Sequence, residues 1–174
     1  MKLISPQFAN SNVDLPALPA EAYRLVQDKS VYGIMDIGGD DRGAYALGRF
    51  TPAIRAENDF RMVFVANACR PLTRTPEEAI EVMREIEAAC GLQFTDLINN
   101  TNLGTETTPE TVLGAADYMA RLSELSGLPV FATTAETNVA KALTGRIENV
   151  LSLQLQEKYF DLPSQKPGHR PLWG

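Results

Sequence analysis

The sequence predicts an α/β protein: a mostly parallel sheet with helices on both faces. Three observations predict it. Short apolar runs alternate along the chain with segments of helical periodicity. The strongest run is apolar almost throughout, rather than at every second residue, as in strands buried on both faces. Sharp helix starts open the two longest helical stripes, and glycines close them. Strand, helix, strand, helix in this rhythm makes a parallel sheet with right-handed crossovers.

The elements follow in order. Residues 2–5 read as a short strand and 6–16 as a loop, with Asn10, Ser11, Asn12 and Asp14 as turn formers. Pro19 stands at a helix start, followed by Ala22, Tyr23 and Val26 at helical spacing. The run 31–37 (VYGIMDI) predicts a buried strand ending in Gly38-Gly39-Asp40-Asp41. Residues 44–54 predict a weaker helix interrupted near Pro52. A second strong strand covers 61–68. Thr75-Pro76-Glu77-Glu78 then opens a helix: Thr75 caps, Pro76 takes the first helical position, and Glu78 completes a capping box. Its stripe is Ala79, Val82, Met83, Ile86, Ala89 and Cys90, closed by Gly91. Residues 94–99 predict a third strand. Thr108-Pro109-Glu110 opens the next helix, with the stripe Val112, Ala116, Met119 and Leu122 and a stop at Gly127. A short strand at 130–133, a short helix at 138–143 and a last strand at 150–155 complete the pattern. The organisation expected is one nucleotide-binding-like α/β domain over residues 1–162 and an extended Pro/Gly-rich tail over 163–174, with Trp173 as its candidate anchor.

Composition narrows the function. In 174 residues, 22 acidic side chains outnumber 16 basic ones, for a net charge of -6. That balance argues against direct nucleic-acid binding, which rests on neutralising phosphates. No apolar run approaches the ~20 residues that span a bilayer, and the N-terminus lacks a signal-peptide pattern, so a cytoplasmic protein without membrane attachment is expected. Cys69 and Cys90 lack metal or redox spacing and read as two small buried apolar residues. The single histidine, His169, lies in the tail and reads as a solvated loop residue, which leaves no histidine for a triad.

Ligands of parallel sheets bind at the carboxyl ends of strands, which directs attention to 36–41, 67–75, 99–104 and 133–137. Asp36 ends an apolar run and can hold Mg²⁺ through a water. Gly38 and Gly39 let backbone N–H groups approach a terminal phosphate. A glycine turn with Asp36 as a cap is the plainer reading. Asp40 and Asp41 add negative charge where phosphates would sit. Leu97-Ile98-Asn99-Asn100-Thr101-Asn102-Leu103-Gly104 ends a strand in an amide cluster. Amides donate and accept in one plane and suit adenine. They suit Asx turns equally well, and spacing does not separate the two. Arg70 and Arg74 read as solvated loop cations, with anion binding as the alternative. No G-x-x-x-x-G-K-[ST] occurs, no lysine follows a glycine, and no G-x-G-x-x-G fingerprint is present.

Taken together these segments resemble the ParA/MinD and CobQ/CobB group, the deviant-Walker-A branch of P-loop NTPases, and within it an ATP-binding branch. The resemblance rests on Ser5-Pro6-Gln7 with Ala9 to Pro16, Asp36-Ile37-Gly38-Gly39-Asp40-Asp41, Arg70-Pro71-Leu72-Thr73-Arg74-Thr75 and the stretch 97–104, and extends to about Thr134. It implies roles: Asp36 as the Walker B aspartate on Mg²⁺, Gly38 and Gly39 as the phosphate-sensing switch, and Asn100, with Asn99 as fallback, at adenine. It implies ATP and Mg²⁺ as cofactors and ATP hydrolysis coupled to dimerisation as the ancestral activity. The family's first strand, phosphate loop and helix have no counterpart here. The chain therefore corresponds to the C-terminal part of such a protein, N-terminally truncated, and weak or no ATP binding by the isolated chain is expected. In the family that missing strand is internal, so a homodimer partner or another chain would cover an exposed sheet edge. Two other readings are a non-catalytic interaction module on a degenerate NTPase fold, and a metal-dependent α/β hydrolase using Asp36, Asp40 and Asp41.

Overall fold

A computed structural model describes residues 20–38 and 41–155. Four strands form one all-parallel sheet: β1 (Val63–Ala66), β2 (Asp96–Asn99), β3 (Val130–Glu136) and β4 (Val150–Leu153). The helices are α1 (Arg24–Gln27), α2 (Asp41–Gly48), α3 (Thr51–Glu57), α4 (Pro76–Cys90), α5 (Pro109–Leu113), α6 (Ala116–Ser126) and α7 (Thr137–Leu143). This is the α/β fold with a parallel sheet that the apolar runs predict. No helix among the described residues is long and apolar enough to cross a membrane.

Local chemistry sets the helix ends. Thr75 accepts from the backbone N–H of Glu78 at 3.2 Å, and the Glu78 carboxylate accepts from the N–H of Thr75 at 3.0 Å, completing the predicted capping box of α4. Gly91 and Gly127 close α4 and α6 at φ 73° and 72°, a left-handed conformation that any side chain would strain. Pro52 sits in the first turn of α3, where it starts a helix instead of interrupting one. The predicted helix at Pro109 is two, α5 and α6, broken at Gly114 and Ala115.

Strand order follows chain order, β1-β2-β3-β4. Every crossover therefore steps the same way, and right-handedness places the connecting helices on one face. Packing agrees. Phe64, Ala66 and Leu97 share a core with Ala79, Ile80, Met83, Ile86 and Cys90 of α4 and with Met119 and Leu122 of α6. Ala135 of β3 joins Val112, Ala140 and Leu143 in a second cluster, with Val150 of β4 packed against it. The strand register puts all these side chains on one face. The other face carries Val63, Val65, Ile98, Thr134, Leu151 and Leu153. Val65 is 56% exposed there and Leu151 44%. Thus the second helical layer expected from the sequence does not lie among the described residues.

The run 31–37 is not a strand. Met35 and Ile37 pack against the core, but Tyr32 and Ile34 are 104% and 84% exposed. A strand needs a neighbour for its backbone, and none of the described strands pairs with this run. Cys69 is exposed and only Cys90 is buried, which corrects the expectation of two buried cysteines. The predicted strand 2–5, His169 and the tail with Trp173 lie outside the described residues.

Candidate functional site

The carboxyl ends of β1, β2 and β3 form one polar rim, held by side-chain amides and hydroxyls. Asn67, just past β1, ties two loops together. Its Oδ1 accepts from the N–H of Cys69 at 2.9 Å and of Asn102 at 3.4 Å, and its Nδ2 donates to the Asn102 carbonyl at 3.3 Å. Thr101 is buried, and its hydroxyl accepts from the N–H of Ala68 at 3.2 Å. Thr73 donates its hydroxyl to the Asn67 carbonyl at 3.1 Å. The β1–α4 and β2–α5 loops are thereby joined at several points instead of standing apart.

The amide cluster divides between the two uses that spacing leaves level. Asn99 is buried and its Oδ1 accepts from the N–H of Thr101 at 3.0 Å, an Asx turn. Asn102 does the same for the N–H of Gly104 at 3.2 Å and donates Nδ2 to the Asn100 carbonyl at 2.7 Å. Asn100 differs. Its Oδ1 accepts from the Thr134 hydroxyl of β3 at 2.7 Å, and its Nδ2 donates to nothing among the described residues. Asn100 is half-buried, so a fixed amide presents two open N–H bonds at the end of the central strands. Thr134 falls within the window 133–137, but as a residue in a strand it carries no sequence signal of that role.

Nearby groups supply charge and shape. Arg70 and Arg74 are exposed, and neither guanidinium has a partner among the described residues. They precede α4, whose first turn carries Glu77 and Glu78. Tyr118 of α6 donates its hydroxyl to the Thr73 carbonyl at 2.9 Å. Burial pushes its pKa up to about 12; the Thr73 side chain opposes that, and the Glu78 carboxylate adds to it. Tyr118 is thus a locked structural phenol that braces the loop from behind.

The glycine segment shares no bond with that rim among the described residues. Asp36 is exposed and lies on no strand, and Gly38 ends the described part of that loop. Gly43 of α2 lies so close to Gly38 that a Cβ there would meet the Gly38 carbonyl oxygen at 2.7 Å. No hydrogen bond or ion pair among the described residues joins 36–38 to 99–104. Gly39 and Asp40 lie outside the described residues. Among the described residues no group of three His, Cys, Asp or Glu side chains is gathered to hold a metal. Without a reversal of direction among the described strands, no switch-point crevice opens between them.

A groove of about 780 Å³ opens elsewhere, at the amino ends of the strands. Arg55, Arg84, Phe60 and Phe94 line it, and the Glu87 carboxylate there accepts from the N–H of Phe94 at 2.8 Å. Comparison with protein-family models, with curated proteins and with solved structures finds no match to this chain.

Proposed function

We propose that the chain is the C-terminal, base-reading part of a MinD/ParA-like ATP-binding protein and that it does not hydrolyse ATP alone. One observation carries this reading: Asn100 is anchored through its oxygen to Thr134 while its Nδ2 stays open. A fixed donor pair at the carboxyl end of a parallel sheet suits a ring-nitrogen acceptor of a purine. Asn99 is spent on its turn, so Asn100 is the reader and Asn99 its support.

ATP and Mg²⁺ remain the cofactors of this proposal. Mg²⁺ is held by one or two carboxylates together with phosphate oxygens. Asp36, a lone exposed carboxylate, fits that role only with a phosphate beside it. Gly38 and Gly39 would lie near that phosphate. The sequence carries no phosphate-loop lysine, so phosphates add little binding here. The test is calorimetric titration with adenosine, AMP and Mg-ATP. The reading expects weak binding of all three with similar affinity, lost in Asn100→Ala. Sub-micromolar Mg-ATP binding, or binding indifferent to Asn100→Ala, would overturn it.

A second reading, a non-catalytic interaction module, is favoured by a separate observation. One sheet face, with Val65, Leu151 and Leu153, is left uncovered by the described residues, where parallel sheets are ordinarily covered on both sides.

A further inference from the structure

One face of the sheet lacks a cover among the described residues, and the described chain ends at its border. Val63, Val65, Ile98, Leu151 and Leu153 lie on that face by the strand register. Val65 is 56% exposed, Leu151 44% and Leu153 39%. Parallel sheets are ordinarily covered on both sides, because their strands are apolar on both faces. β4 is the last strand of the described chain and stands at the edge of the sheet. Leu151 and Leu153 alternate along it, and Leu155, two residues further on, is exposed as well and ends the described chain. The apolar row on the bare face therefore leads directly into residues 156–174, which carry Tyr159, Phe160, Leu162, Leu172 and Trp173.

We propose that residues 156–174 fold back across this face and seat Trp173, with Tyr159 and Phe160, over Val65, Leu151 and Leu153. Length allows it. Strands lie about 4.8 Å apart, so four of them span about 15 Å, which about five extended residues bridge. Composition favours it. Aromatic side chains cover the most apolar area per residue. Pro163, Pro167 and Pro171 lack an N–H, so at those positions the backbone can lie on an apolar surface without leaving a donor unpaired. The other end of the described chain joins the opposite layer. Tyr23 meets Phe50 with ring centroids 4.7 Å apart, and Ala44 and Leu47 of α2 share the core with α4. Residues 1–19 thus connect on the helical side of the sheet, whereas 156–174 connect at the border of the bare face. This inference is independent of the base-reading proposal. It closes the face within one chain, where an interaction module needs a partner.

Trp173 is the single tryptophan of the chain, so the fluorescence of the full chain reports on this segment alone. Wild type is expected to emit to the blue of free N-acetyltryptophanamide and to resist iodide quenching several-fold better, equally at all protein concentrations. Val65 and Leu151 are exposed on the described strands, so Val65→Lys and Leu151→Lys are expected to keep the fold by circular dichroism. Each is expected to shift the emission to the red and to raise iodide quenching toward that of the free amide. Nuclear Overhauser contacts between the Trp173 indole and the methyl groups of Val65, Leu151 or Leu153 in the wild type decide the matter if a lysine variant fails to fold. A wild-type Trp173 that is quenched like the free amide overturns the proposal. So does protection that both lysine variants leave intact, since the indole then lies elsewhere. Protection that appears only as concentration rises also overturns it, because a second copy then supplies the cover. Adenosine binding is read separately, so failure here leaves the base-reading proposal standing.

Discussion

Thr134→Val is the sharpest perturbation of the rim. It keeps the branched shape that a strand favours and removes only the hydroxyl. That hydroxyl donates to Asn100 Oδ1 at 2.7 Å and lies 3.3 Å from the Asn99 carbonyl. One hydrogen serves one acceptor at a time, and the shorter contact takes it. A neutral hydrogen bond contributes about 1 kcal/mol net. Asn100 is half-buried, so its freed oxygen can turn to water and the fold loses no more than that. The loss falls on orientation: the amide becomes free to rotate, and adenosine binding weakens about fivefold. Calorimetry with adenosine, paired with urea unfolding, measures both effects. A folded variant that binds adenosine as wild type does would refute the idea that Thr134 aims Asn100.

Other outcomes follow from the framework. Thr75→Ala removes the reciprocal cap of α4 and is expected to cost about 1 kcal/mol in urea unfolding, with the m-value unchanged. Leu122→Ala opens a cavity at a side chain with 0% exposure and is expected to cost about 2–5 kcal/mol by the same measurement. Tyr118 holds its proton in the folded state from 10.0, where an unfolded tyrosine releases it, up to about 12. Stability is therefore full below pH 10 and falls as pH rises toward 12. Partial exposure and solvent screening limit the loss to about 1 kcal/mol. Tyr118→Phe is expected to flatten that part of the stability profile against pH.

How much was legible in the sequence depended on whether the deciding contact was local. The α4 cap is written in Thr75-Pro76-Glu77-Glu78, four adjacent residues, and it forms as read. The centres of all four strands stand out as apolar runs. β3 runs on to Glu136 through Thr133 and Thr134, beyond the apolar signal, because β4 pairs with that half. The run 31–37 has the composition of a strand but no described partner, and composition carries no information about partners. Likewise the role of Asn100 depends on whether a residue in another strand donates to it. Thr134, 34 positions after Asn100, settles that, and no spacing rule connects the two.

The claim on which the functional account rests is that the side-chain amide of Asn100 is an open, fixed donor that reads a purine. The side-chain NH₂ resonances of Asn100 in a ¹⁵N-labelled sample, followed while adenosine is added, test it most directly. The account predicts a saturable shift of that pair together with the backbone amide of Thr134. Resonances that stay in place while adenosine binds elsewhere, for example in the Arg55–Arg84 groove, would contradict it.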